Sequence, residues 1–133
     1  MNYTVEELAG LYLQGWVDRD PVRIAALHTV DSVFHMHGMN DPVAGRDQVR
    51  DFIVTLFKLV PDLSFETKRG YLGVGHIVLE YDMSGTFEQS NFVCDGVDVF
   101  LVADGLIARK DTYLDLVSLA HQVGDLPVFG STA

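Results

Sequence analysis

Apolar residues in the first half of the chain recur mostly at helical spacing. Val5, Leu8, Ala9, Tyr12 and Trp16 fall on one helix face. Thr4 and Glu7 form a capping box that opens this helix, and the pattern ends near Asp18. Asp20-Pro21 then supplies a cap and a first-position proline for a short helix over 21–28, with Val22, Ala25 and Ala26 turned inward. Residues 32–37 read as a strand and 38–45 as a loop containing Pro42. A third helix begins around Asp47, presents Val49, Phe52, Ile53, Leu56, Phe57 and Val60 on its apolar face, and stops at Pro61.

Beyond Pro61 the period changes to two. Residues 63–69 alternate as a strand that breaks at Gly70, and 76–87 form a longer strand with Gly85 as a candidate bulge. A turn at 88–90 leads into two strands joined by Asp104-Gly105, the tightest hairpin signal in the chain. Asp95-Gly96 is itself a turn dipeptide, and the preferred reading is a continuous strand with a bulge at Gly96. Residues 116–123 suit one more short helix, and the tail from Pro127 reads as loose or docked on a partner. Helices followed by antiparallel strands define an α+β fold. The expectation is a cone-shaped barrel, its curled sheet wrapped around three N-terminal helices with an apolar cavity inside. One domain over 1–133 is expected.

Composition narrows the function. Nineteen acidic residues against nine Lys and Arg leave a formal charge of −10, which repels nucleic-acid backbones and anionic lipid. No apolar run is long enough to cross a bilayer. The lone Cys94 excludes an internal disulfide and fits a reducing compartment, and no basic head followed by an apolar run opens the chain. A cytoplasmic location is expected.

Alternation puts Phe92, Cys94, Gly96, Asp98, Phe100 and Val102 on one strand face, so Asp98 is a carboxylate in an apolar row. Burial destabilises the charged form, which lets such a group hold or donate a proton near neutral pH. Lys110 and Thr112 alternate onto one side of the next strand, so a Lys110–Asp98 pair is open to the chain. The cation would then favour the carboxylate, and Asp98 would serve better as a base than as an acid. Tyr12 can donate its phenolic hydrogen to a developing oxyanion or be a core aromatic satisfied locally. His35 and His37 share a strand face around Met36; they are candidate general bases, and two imidazoles also suggest a metal. No third ligand stands at a telling spacing, so no metal or other cofactor is expected. His28, His76 and His121 have no partner visible in the sequence and read as surface or packing residues. Cys94 reads as a cavity-lining residue without an adjacent base. Trp16, Phe34, Phe57, Tyr81 and Phe92 would form an aromatic wall for a flat apolar ligand, with plain core packing as the alternative.

Four segments carry a resemblance that spans nearly the whole chain. They are Trp16-Val-Asp-Arg-Asp, Asp31-Ser-Val-Phe-His, Gly45-Arg-Asp-Gln-Val-Arg-Asp-Phe, and Val97-Asp-Val-Phe-Leu-Val-Ala-Asp-Gly-Leu-Ile. In these the chain resembles the nuclear transport factor 2-like superfamily, and within it the SnoaL-like polyketide cyclases. The resemblance implies the cone fold and places Asp98 where those cyclases carry an acid/base aspartate. It also places Asp98 and Tyr12 at the oxyanion-hole positions of ketosteroid isomerases, whose general-base aspartate is replaced here by Met36. The Asp-Arg-Asp group of limonene epoxide hydrolase-like enzymes is matched by Met83, Tyr81 and Thr112, so that group is missing. Phe34 and Met36 are turned toward the cavity by the same resemblance, sending His35 and His37 away, although a bulge beside Gly38 would return His37 to the mouth. Relatives commonly pair through the outer sheet face, which implies a homodimer.

The leading expectation is a small cofactor-independent enzyme for an apolar, polyketide- or terpenoid-like carbonyl compound, performing aldol-type cyclisation or isomerisation. Asp98 moves the proton, with Tyr12 or His37 steadying the enolate. Trp16, Phe34, Met36, Phe57 and Tyr81, with Met83, Phe92, Cys94, Lys110 and Thr112, line the substrate. The other readings are a non-catalytic small-molecule-binding module, and water addition to an epoxide.

Overall fold

A computed structural model describes residues 2–126. The chain runs α1 (Val5–Val17), α2 (Pro21–Ala26), β1 (His28–Met36), β2 (Val43–Ala44), α3 (Arg46–Leu59), β3 (Ser64–Leu72), β4 (His76–Phe87), β5 (Ser90–Ala103), β6 (Leu106–Leu114) and α4 (Leu116–Val123). The expectation for the tail from Pro127 lies outside the described residues.

Local chemistry explains most boundaries. The Thr4–Glu7 box is formed, with reciprocal hydrogen bonds of 2.9 and 3.1 Å at the α1 N-terminus. Asp20 caps α2 by accepting from the Arg23 N–H at 3.1 Å. Asp104 and Gly105 both take positive φ, 54° and 73°, as a two-residue hairpin turn matching the strand twist requires. Asp115 caps α4, and Gln122 from that helix bonds both the N–H and the carbonyl of Val93, docking α4 on β5.

The six strands form one sheet in the order β2-β1-β6-β5-β4-β3, antiparallel except for the parallel pair β1–β6. Register shifts near Thr67, near Leu101 and between His28 and Val33 interrupt the ladders, and such irregularities bend and twist a sheet. The sheet curls, with α1 and α3 against its inner face. Leu8, Ile24, Ile53, Ile77 and Ile107 are completely or almost completely buried and fill one end of the cone. The other end holds a cavity of about 330 Å³.

Several local expectations are corrected. The second helix ends at Ala26, and His28 begins a strand. Ile24 and Ala25 face inward there while Val22 and Ala26 are exposed, because the rotation of so short a helix is set by what it packs on. β3 passes through Gly70, which pairs with Leu79, and continues to Leu72. Neither Gly85 nor Gly96 is a bulge; both sit in unbroken register. β5 is continuous, as preferred. Gly96 serves by its size: a Cβ there would lie 2.7 Å from the Tyr81 ring and 2.8 Å from Leu114. Gly96→Ala is therefore expected to displace Tyr81 and cost about 1–3 kcal/mol, read as a lower urea midpoint at unchanged slope. An unshifted midpoint would show that the contact is slack.

Candidate active site

Strand alternation assembles the site. Asp98 of β5 pairs with Leu79 on β4 and with Thr112 on β6, all with side chains on the inner face. Thr112, directly opposite, donates its hydroxyl to Asp98 Oδ1 at 2.7 Å. Tyr81, two residues along β4 from Leu79, is a diagonal neighbour, and its hydroxyl donates to the same oxygen at 2.8 Å. Lys110, the other diagonal neighbour, brings Nζ to 3.6 Å from Asp98 Oδ2. Asp98 is 7 % exposed and Lys110 4 %. Asp98 thus accepts two hydrogen bonds on Oδ1 and faces the Lys110 ammonium with Oδ2.

Four aromatic rings surround the Lys110 ammonium. Phe34, its register partner on β1, has its centroid 4.4 Å from Nζ; Trp16 and Tyr12, one turn apart on α1, lie at 4.5 and 5.0 Å; Phe100 lies at 5.7 Å. The ring faces supply the negative potential that a desolvated cation otherwise lacks. Trp16 Nε1 is buried with no hydrogen-bond partner among the described residues.

Tyr12 has a second role. Its hydroxyl lies 3.0 Å from His28 Nε2, and His28 Nδ1 lies 2.9 Å from the Ser32 hydroxyl. Burial, helped by the charges of Lys110 and Arg46, pushes the His28 pKa down to about 3, so the ring is neutral at physiological pH. Arg46 in turn donates two hydrogen bonds to the His28 carbonyl, at 3.0 and 2.7 Å. Burial also raises the Tyr12 pKa against the pull of Lys110, and raises that of Tyr81 together with the adjacent Asp98 charge. Both phenols stay protonated and remain donors. His28 is thus a fully buried packing residue, and it has partners that the sequence did not show, linking helix and strand.

The cavity lining includes Tyr12, Trp16, Phe34, Met36, Tyr81 and Met83, and further Phe92, Asp98, Lys110 and Thr112. Two expected residues are outside it. Phe57 packs on the back of Trp16, with ring centroids 5.4 Å apart, and Cys94 is buried in the core, where burial pushes its thiol up to about 11. His37 is outside it too. The strand phase that turns Phe34 and Met36 inward puts His35 and His37 on the opposite face, where His37 Nε2 lies 2.8 Å from Asp111 Oδ1. The lining also contains Leu13, Met39, Phe65 and Leu79, and Leu119 and Val123 of α4. The i, i+4 spacing of Leu119 and Val123 was the available signal for α4.

The family model of the SnoaL-like domain matches residues 10–110. No curated protein matches the chain in sequence. Solved structures match its shape. One is a hypothetical protein with a ketosteroid isomerase-like fold from Catenulispora acidiphila, in complex with trimethylamine. It is 18% identical, with a TM-score of 0.82 over 93% of this chain and 96% of its own. A Shewanella denitrificans protein, assigned by its describers as a SnoaL-like polyketide cyclase, is 16% identical with a TM-score of 0.75 over 88% and 94%. TerC, co-crystallised with polyporic acid, is 14% identical with a TM-score of 0.79 over 90% and 98%. Identities this low establish a common fold. Among the described residues, no helix is long and apolar enough to cross a membrane.

Two outcomes follow from the charges. Lys110→Met leaves a buried carboxylate without its cation and should cost about 3–5 kcal/mol, much of it recovered in the Lys110→Met/Asp98→Leu double variant. Equal, additive losses in chemical denaturation would show the pair uncoupled. His28 binds a proton in the unfolded chain below its ordinary value of 6.5 but resists it in the fold down to about 3. Stability should therefore fall as pH drops through that window, by on the order of 5 kcal/mol in all. His28→Gln should flatten the slope of unfolding free energy against pH between about 4 and 6.5; an unchanged slope would contradict this.

Proposed function

Since the chain belongs to the SnoaL-like domain family, we propose that it is a small enzyme moving a proton on an apolar carbonyl compound held in the cone. The observation that carries this reading is a buried carboxylate–ammonium pair facing a largely apolar cavity. Asp98 takes a proton from the carbon beside the carbonyl, and the electron pair moves onto the carbonyl oxygen. Lys110 lies on the cavity wall beside Asp98, so its charge opposes the negative charge developing on that oxygen. Low local dielectric makes this stabilisation larger than in water. Tyr81 and Thr112 orient the carboxylate, and Tyr12 holds one wall of the Lys110 cage. Returning the proton to another carbon is an isomerisation; attack of the enolate carbon on a second carbonyl is an aldol-type cyclisation. Both need only the base and the cation. His37 has no part in this scheme, being on the far side of the sheet.

That other proteins of this fold hold trimethylamine or polyporic acid supports a small ligand in this cavity. One observation favours a second reading, a non-catalytic binding module. Asp98 Oδ1 already accepts two hydrogen bonds and Oδ2 already faces Lys110, so the carboxylate needs no substrate to satisfy it. Asp98→Asn separates the two. With enolisable apolar ketones as probes, the enzyme reading expects ligand affinity within about threefold and turnover reduced at least 10²-fold. Binding unchanged with no turnover in either protein would establish the module.

A homodimer is part of the proposal. Val93 and Leu101 on the outer sheet face are about half exposed, and a second copy would cover them. Sedimentation at micromolar concentration should give twice the chain mass; a monomer would contradict the pairing.

A further inference from the structure

We propose that the outer face of the sheet carries a site for a divalent transition-metal ion, formed by His35, His37 and Asp111 and suited to zinc. The proposal is independent of the chemistry assigned to the cavity. The sequence offers two histidines two residues apart, His35 on β1 and His37 just past its end, and the fold supplies the third ligand. β1 and β6 run parallel in a register that sets His35 beside Asp111. The His37 N–H donates to the Thr112 carbonyl at 2.9 Å, which carries the same register one residue further. One ligand atom from each of the three side chains lies within 4.8 Å of the other two. A tetrahedral zinc ion with bonds of about 2.0–2.2 Å needs its ligand atoms about 3.3–3.6 Å apart.

The donor set and its support fit the ion. Two imidazole nitrogens and a carboxylate oxygen are borderline-to-hard donors, and three protein ligands leave the fourth tetrahedral position for water. The three side chains are half-buried, so they are reachable yet held. Arg109 grips Asp111 through Nε–Oδ2 at 2.8 Å and Nη2–Oδ1 at 3.0 Å, the outer partner that orients a ligating carboxylate. The Tyr113 ring stacks on His37 at 4.2 Å and 10°, and the His35 and His37 rings lie 3.8 Å apart. An ion here would tie β1 to β6 directly behind Lys110 and Thr112, which flank Asp111 and face inward.

Zinc chloride titrated calorimetrically into the metal-free protein, in about 150 mM salt to screen the acidic surface, provides the test. One zinc per chain is expected, whatever the oligomeric state. His35→Ala, His37→Ala and Asp111→Asn should each weaken binding more than about a hundredfold, beyond the loss of a supporting partner alone. His76→Ala, on an exposed strand end, should leave it unchanged. Cobalt(II) should give the visible spectrum of a four-coordinate ion in the wild type and lose it in the three ligand variants. Wild-type affinity in His35→Ala and His37→Ala, a ratio of one zinc per two chains, or a six-coordinate cobalt spectrum would overturn the proposal.

Discussion

The buried pair of Asp98 and Lys110 is the constraint from which the rest of the site follows. Two ions removed from water carry a desolvation cost of several kcal/mol each, and a single contact at 3.6 Å does not return it. The fold answers from both sides. Tyr81 and Thr112 give the carboxylate two hydrogen bonds, and four ring faces surround the ammonium. A core optimised for stability alone would place two apolar residues here. Keeping a charged pair next to an unfilled cavity makes sense where the charges are used on something that enters.

This arrangement depends on long-range geometry. Asp98, Thr112, Tyr81 and Lys110 come from three neighbouring strands, and their meeting on one face follows from unbroken register across β4, β5 and β6 at that point. Gly96 leaves the space that the Tyr81 ring fills, so a residue without chemistry of its own helps set one of the two hydrogen bonds to Asp98. Tyr12 and Trp16 reach Lys110 because they sit one turn apart on α1, and Tyr12 is anchored in turn by His28. The helix is thus tied into the electrostatics of the sheet as well as into the core.

How much of this the sequence displayed depended on range. Signals confined to a few residues were legible: the Thr4–Glu7 box, the Asp104-Gly105 hairpin, and the alternation that faces Asp98 inward. The possible Lys110–Asp98 pairing was legible because alternation holds on both strands of a hairpin. The role of His28 was not, since its partner Tyr12 lies sixteen residues away on another element. Gly96 was misread because a glycine kept for its small size looks the same in sequence as one kept for a bend. Phe57 was misplaced because the apolar stripe of α3 is wider than the part that reaches the cavity, and its ring backs Trp16 instead. Asp111 was overlooked beside the two histidines because parallel pairing of β1 with β6 joins residues more than seventy positions apart.

The central claim is that this pair moves a proton at carbon. Hydrogen–deuterium exchange beside the carbonyl of apolar ketones such as 2-tetralone, followed by NMR in deuterated buffer, tests it without knowledge of the natural product. The account predicts exchange faster than buffer alone with the wild-type protein and at the buffer rate with Asp98→Asn. No acceleration by the wild type across a panel of ketones that demonstrably bind, or equal acceleration by the Asn variant, would contradict it.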